Sequence, residues 1–184
     1  MKSITLPTSY FPPINYITKL KNKNVEIECF EYYKKRTIRN RAWILNHYGP
    51  QLLTVPIQRK SYSKTILKNI KIANNEWQSK HIKSIKSAYG SSPFFIYYFN
   101  DIQNILNKKH TFLIDLNYDI LTFIIDTINI KTTINYNLSY KDNCEIIVNN
   151  QTKPYHQVFS KKFIQNLSIL DLIFNTGPES NLYI

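Results

Sequence analysis

Glycine is nearly missing from this chain, with three in 184 residues. A phosphate cradle built of backbone needs glycines at its turns, and neither a Gly-x-Gly-x-x-Gly fingerprint nor a Walker loop is present. A Gly-x-Ser-x-Gly nucleophile elbow is missing as well. Cysteine is scarce: Cys29 and Cys144 stand alone, which excludes a disulfide scaffold, and their spacing matches no metal motif. Histidines 47, 81, 110 and 156 are scattered singly, so no metal site and no cofactor is expected. Long apolar runs are also lacking. The most apolar stretch, residues 111–130, is broken by Asp115, Asn117, Asp119 and Asp126, short of the ~20 apolar residues a membrane span needs. The opening MKSITLPTSYFPP has no uninterrupted apolar core of a secretory signal. A cytoplasmic protein without a membrane span is the expectation.

Acidic residues are outnumbered, 12 against 24 Lys+Arg, for a formal charge of +12. The surplus is local. Residues 19–86 hold 16 basic and four acidic side chains, so this stretch alone carries +12, and the remainder is neutral with eight of each sign. A surplus gathered in one half of a domain creates a field that attracts phosphate or nucleic acid, although a solvated basic surface explains it equally well. Apolar residues make up 43% and aromatics 14%, ample for a core, so disorder is excluded. The length fits one domain over residues 1–184.

The chain mixes strand and helix signals. Tyr10-Phe11-Pro12-Pro13 predicts an extended, packed segment, and residues 15–23 a short helix. Val25-Glu26-Ile27-Glu28-Cys29 alternates with the period of a half-buried strand. Residues 42–47 and 52–57 predict two more strands around a turn at residues 48–50, with Pro56 marking a strand end or edge. Residues 58–68 predict a surface loop and residues 70–72 a short strand. Asn74 or Asn75 is placed to cap a helix over residues 76–89, on which Trp77, His81 and Ile85 form one stripe. Helices follow over residues 94–106 and 113–128, then strands over 131–140 and 145–148. Ser168 and Asp171 have capping-box spacing before a last helix that Gly177-Pro178 stops. The expected fold is α/β (mixed α+β), a single domain with a mixed sheet packed by helices.

Several segments in this order resemble one known family. They are Tyr10-Phe11-Pro12, Arg39-Asn40-Arg41, Thr54-Val55-Pro56, Trp77 with His81, Ser87-Ala88-Tyr89, Pro93-Phe94-Phe95-x-Tyr97-Tyr98, Gln157-Val158-Phe159 and residues 166–179. Together they resemble the WbqC-like family over nearly the whole chain. The resemblance implies a place in gene clusters for O-antigen and other surface polysaccharides, some of which build amino-sugars carrying aminoacyl groups such as glycine. Where related sequences often follow Asn-Arg with cysteine, this chain has Ala42, so a thiol mechanism is excluded at that position.

The candidate chemistry is read from the residues themselves. His81, neighboured by lysines that hold its imidazole neutral, suits a general base for acyl transfer, or else a packed core histidine. Asn40 and Arg41, with Arg36 and Arg39, offer guanidinium forks for a diphosphate or carboxylate, or anchors for C-terminal carboxylates. The capping-box spacing already accounts for Asp171, whereas Glu179 has no such account and is a candidate to hold a substrate amine or pair with an arginine. Gln157 must find partners if buried, in a ligand or in the backbone. Tyr10, Trp77, Lys80 and Asn175 complete the expected substrate-binding set. The expected activity is acyl or aminoacyl transfer to the amine of a nucleotide-linked amino-sugar, with aminoacyl-tRNA a candidate partner for the basic half. The alternative is a non-catalytic nucleic-acid-binding or accessory protein of the same pathway.

Overall fold

The computed structural model describes residues 3–58, 65–73, 76–141, 144 and 152–184. Strand β1 (Ser3–Pro7) runs parallel to β2 (Asn24–Glu28), with Leu6 beside Ile27. Helix α1 (Ile14–Leu20) is the crossover between them. The alternation read in residues 25–29 is that of β2, whose Val25 and Ile27 enter the core. On its other side β2 pairs, again in parallel, with a strand that follows the long helices, β5 (Thr133–Tyr136).

A separate hairpin, β3 (Arg41–Asn46) and β4 (Gly49–Thr54), pairs antiparallel. The predicted turn at residues 48–50 lies one residue earlier. Asn46 pairs with Gly49, so His47 and Tyr48 form a two-residue turn. Gly49 takes φ +115°, which L side chains rarely adopt. Pro50 is tolerated because β4 has no second neighbour in its sheet.

Helices α2 (Trp77–Tyr89), α3 (Phe95–Asn107) and α4 (Leu113–Ile128) each turn a buried apolar face to the core. On α4, Leu113, Leu116, Ile120, Ile124 and Ile128 recur every three or four residues and are buried. Burying each such side chain contributes about 1.5–3 kcal/mol. The last helix, α5 (Ile169–Thr176), is capped by Ser168, whose Oγ accepts from the Leu170 N–H. Its capping box is half formed, because the Asp171 side chain turns into the core instead. Among the described residues no helix is long and apolar enough to cross a membrane.

Other expectations shift. β1 was not anticipated as a strand. Residues 70–72 form only isolated bridges after a 3-10 turn at Leu67–Asn69, and the strand expected over 131–140 contracts to β5. Asn74, Asn75, most of the loop expected at 58–68 and the strand expected at 145–148 lie outside the described residues.

Candidate functional site

The three parallel strands end on the same side, and the chain leaving each of them lines one cleft. Pro7 comes from the end of β1, Glu31, Lys34 and residues 36–39 from the loop after β2, and Cys144 from the segment after β5. Arg41, Trp43 and Leu52 of the hairpin close the far wall. The carboxyl ends of parallel strands are where open α/β sheets place ligands. This chamber holds about 570 Å³, and a second of about 230 Å³ shares Ile38, Arg41 and Trp43 with it. Phe11, Pro13, Ala42, Asn166 and Ser168 complete the smaller one.

Among the described residues, four cations, Lys34, Arg36, Arg39 and Arg41, face the larger chamber against one carboxylate, Glu31. Arg39 is committed to that carboxylate: its Nε donates to Glu31 Oε1 at 2.8 Å, and both residues are buried. Lys34 Nζ reaches Glu31 Oε2 at 3.4 Å from an exposed side chain, a geometry worth little energetically. Arg41 differs. Among the described residues it has no ion-pair partner, and its Nε is buried with no hydrogen-bond acceptor. A buried N–H left unsatisfied costs about 1–3 kcal/mol, and Arg41 sits at the waist between the two chambers.

The cleft also gathers strained backbone. Among the described residues five non-glycine residues have positive φ, and three of them line it: Phe11 at 37°, Arg36 at 57° and Asn166 at 62°. Asn tolerates this conformation, but Phe and Arg rarely adopt it, and such strain concentrates at ligand sites. Surrounding hydrogen bonds fix the loops. The Tyr10 N–H donates to Ile38 O at 2.9 Å, and the Ser168 N–H to Trp43 O at 2.7 Å. Asn117 Nδ2 reaches across from α4 to Arg39 O at 2.8 Å and to Thr8 Oγ1 at 3.1 Å. Glu28, wholly buried, accepts from the Phe30, Glu31 and Lys141 N–H groups.

Of the residues singled out in the sequence, Arg41 lines both chambers and Arg36 and Arg39 line the larger. Asn40 lies just behind, buried, with Nδ2 donating to Val55 O at 2.9 Å. Tyr10, Trp77 and His81 form a separate buried cluster. Tyr10 Oη and His81 Nδ1 are 2.7 Å apart, and the indole and imidazole centroids are 5.1 Å apart. A hydrogen bond to the Thr54 backbone also holds the ring. Burial lowers the His81 pKa to about 4, so the ring is neutral. Desolvation rather than the neighbouring lysines is the cause. The cluster reaches the cleft through Phe11, whose ring packs edge-on against Tyr10 at 4.7 Å, and through the Tyr10 N–H bond to Ile38.

Gln157 and Asn175 converge elsewhere. Gln157 Nε2 donates to Asp171 Oδ2 at 2.8 Å and to Ile164 O at 3.0 Å, and its Oε1 accepts from the Ile164 N–H. Asn175 Nδ2 donates to Asp171 O at 2.7 Å. Asp171 also accepts from Tyr155 Oη at 2.6 Å and from Tyr89. Burial raises the Asp171 pKa, and these three side-chain donors oppose the rise. Lys80 and Glu179 are exposed, on α2 and on the 3-10 helix Gly177–Leu182 respectively, and neither lines the cleft.

Lys34, Trp43 and Cys144 were not foreseen. Trp43 was legible, since period-two alternation sets it opposite the buried Ala42 and Ile44, and its ring is half exposed in the cleft. Burial raises the Cys144 thiol to about 11, with the Glu31 carboxylate the next cause.

A family model described as the WbqC-like protein family matches residues 8–146 and 140–183. The chain belongs to this family. No curated protein and no solved structure matches it. The match takes in every cleft residue of this WbqC-like protein except Pro7, and its two segments overlap over residues 140–146, which include Cys144. Among the described residues no group of three or more His, Cys, Asp and Glu is placed to hold a metal ion.

Proposed function

We propose that this WbqC-like protein is an acyltransferase of surface-polysaccharide assembly, moving an aminoacyl group onto the amine of a nucleotide-linked amino-sugar whose diphosphate lies in the cleft against Arg41. The carrying observation is the Arg41 Nε–H, buried and, among the described residues, without an acceptor at the junction of the two chambers. An anionic ligand oxygen satisfies it, and the guanidinium fork suits phosphate or carboxylate. In the reaction, the sugar amine attacks the acyl carbonyl of an activated ester such as aminoacyl-tRNA. The C–N bond forms, the C–O bond breaks, and the alcohol departs with the proton that the nitrogen gives up. Such a donor needs no ATP. The protein contributes proximity, worth several orders of magnitude in effective concentration, and cationic donors for the developing oxyanion. Tyr10 and His81 act as positioning residues that brace Phe11.

A second reading, a binding module without catalysis, is favoured by one observation. His81 is hydrogen-bonded within the protein to Tyr10 and to the Thr54 backbone, and Glu31, the one carboxylate lining the larger chamber among the described residues, is ion-paired. Incubation with charged tRNA or acyl-CoA plus a nucleotide-linked amino-sugar, followed by mass spectrometry of the sugar, separates the two. The enzyme reading expects a mass gain that Arg41→Gln abolishes and His81→Gln retains. No gain with any donor, from a folded protein that still binds the nucleotide, establishes the binding module instead.

A further inference from the structure

A second hollow adjoins the cationic cleft. It holds about 440 Å³, is lined by Phe30, Glu31, Tyr32, Lys34, Ile66 and Tyr140, and shares Glu31 and Lys34 with the cleft. Two of its walls are unusual for a surface. Tyr32 is 60% exposed and Tyr140 59%. Single exposed aromatics need no explanation, but two lining one concavity beside a cluster of cations make a pattern suited to bases and phosphates together.

The platform is built firmly. Tyr32 forms a bridge with Ile66, the Tyr33 N–H donates to Thr65 O at 3.0 Å, and the Leu67 N–H donates to Glu31 O at 2.9 Å. Lys68 Nζ lies 4.0 Å from the centroid of the Phe30 ring. Glu31 Oε2, held among the described residues by the exposed Lys34 alone, is left to accept a base N–H.

We propose that this hollow is a nucleobase subsite, in which the base of a nucleoside diphosphate stacks on Tyr32 and Tyr140 while its phosphates pass Lys34 to reach Arg36 and Arg41. The assignment rests on the reading that the cleft takes a diphosphate. Base stacking on an aromatic side chain strengthens binding by about tenfold or more.

The test compares inorganic pyrophosphate with UDP, GDP and ADP, titrated calorimetrically into the wild-type chain and into Tyr32→Ala, Tyr32→Phe, Tyr140→Ala and Arg41→Gln. At least one nucleotide binds the wild type about tenfold tighter than pyrophosphate. Tyr32→Ala and Tyr140→Ala reduce that margin and leave pyrophosphate binding unchanged, Tyr32→Phe keeps the margin, and Arg41→Gln weakens every ligand. Both tyrosines are exposed, so their loss leaves folding intact. If pyrophosphate binds through Arg41 but no base adds affinity, or if Tyr32→Ala keeps the full margin, the subsite is refuted while the diphosphate reading stands. If nothing binds the folded wild-type chain, both fall.

Discussion

Glu31 and Arg39 are 5% and 6% exposed, and their ion pair sits in the wall of the cleft. Deleting one partner of such a pair strands the other charge in a low-dielectric site, at about 3–5 kcal/mol. Replacing both with apolar side chains of similar volume is close to neutral. Arg39→Met leaves the Glu31 carboxylate with only Lys34, whose side chain is 68% exposed. Glu31→Met leaves the Arg39 guanidinium with the Thr37 hydroxyl at 3.2 Å. Each single change is therefore expected to cost about 3–5 kcal/mol, and the double change less than either, a coupling of at least about 3 kcal/mol. Urea unfolding followed by fluorescence of Trp43 and Trp77, extrapolated linearly to water, measures all three. The same substitutions act oppositely on ligand. Glu31→Met removes the carboxylate that faces the four described cations of the larger chamber, so the destabilised variant binds pyrophosphate more tightly than the wild type. Additive costs in the double variant, or weaker anion binding by Glu31→Met, refute the reasoning.

His81 sets a pH dependence. Its pKa falls from 6.5 to about 4 on folding, so its contribution is complete above pH 6.5 and is lost as pH drops toward 4, by roughly 3 kcal/mol. His81→Gln keeps an acceptor for Tyr10 and a donor for Thr54, and the difference in urea midpoint between wild type and variant should narrow or reverse from pH 7 to pH 4.5. A difference independent of pH contradicts the burial of a neutral ring. Tyr155→Phe removes the 2.6 Å donor to the buried Asp171 and is expected to cost about 1.5–3 kcal/mol by the same unfolding assay. Gly177→Ala meets two obstacles, a φ of +53° and a Cβ that would overlap the Phe94 ring. It should cost more than about 1 kcal/mol, part of which a Phe94→Ala background recovers.

Elements with a strong period were legible in the sequence, and those defined by distant partners were not. α4 begins and ends where its three- and four-residue spacing predicts, and β2 follows its acid-apolar alternation. β1 offers only Ile4 and Leu6 before its proline, too few to announce a strand, and its pairing with β2 supplies the rest. The arginines of the cleft stood out because charge is visible along the chain. Its aromatic neighbours did not, since Tyr32 and Tyr140 meet only after β5 has joined β2. His81 drew attention as a lone imidazole on an apolar stripe. Its satisfaction by Tyr10, 71 residues away, is a property of the folded chain alone.

The most direct measurement is a calorimetric titration of inorganic pyrophosphate into the wild-type chain, Arg41→Gln and Lys83→Gln, at low and high salt. The account predicts saturable binding to the wild type that weakens by about tenfold or more in Arg41→Gln, weakens with salt, and is unchanged when the exposed α2 cation Lys83 is replaced. Equal binding by wild type and Arg41→Gln, or a larger loss in Lys83→Gln, would place the anion elsewhere on the surface and contradict it.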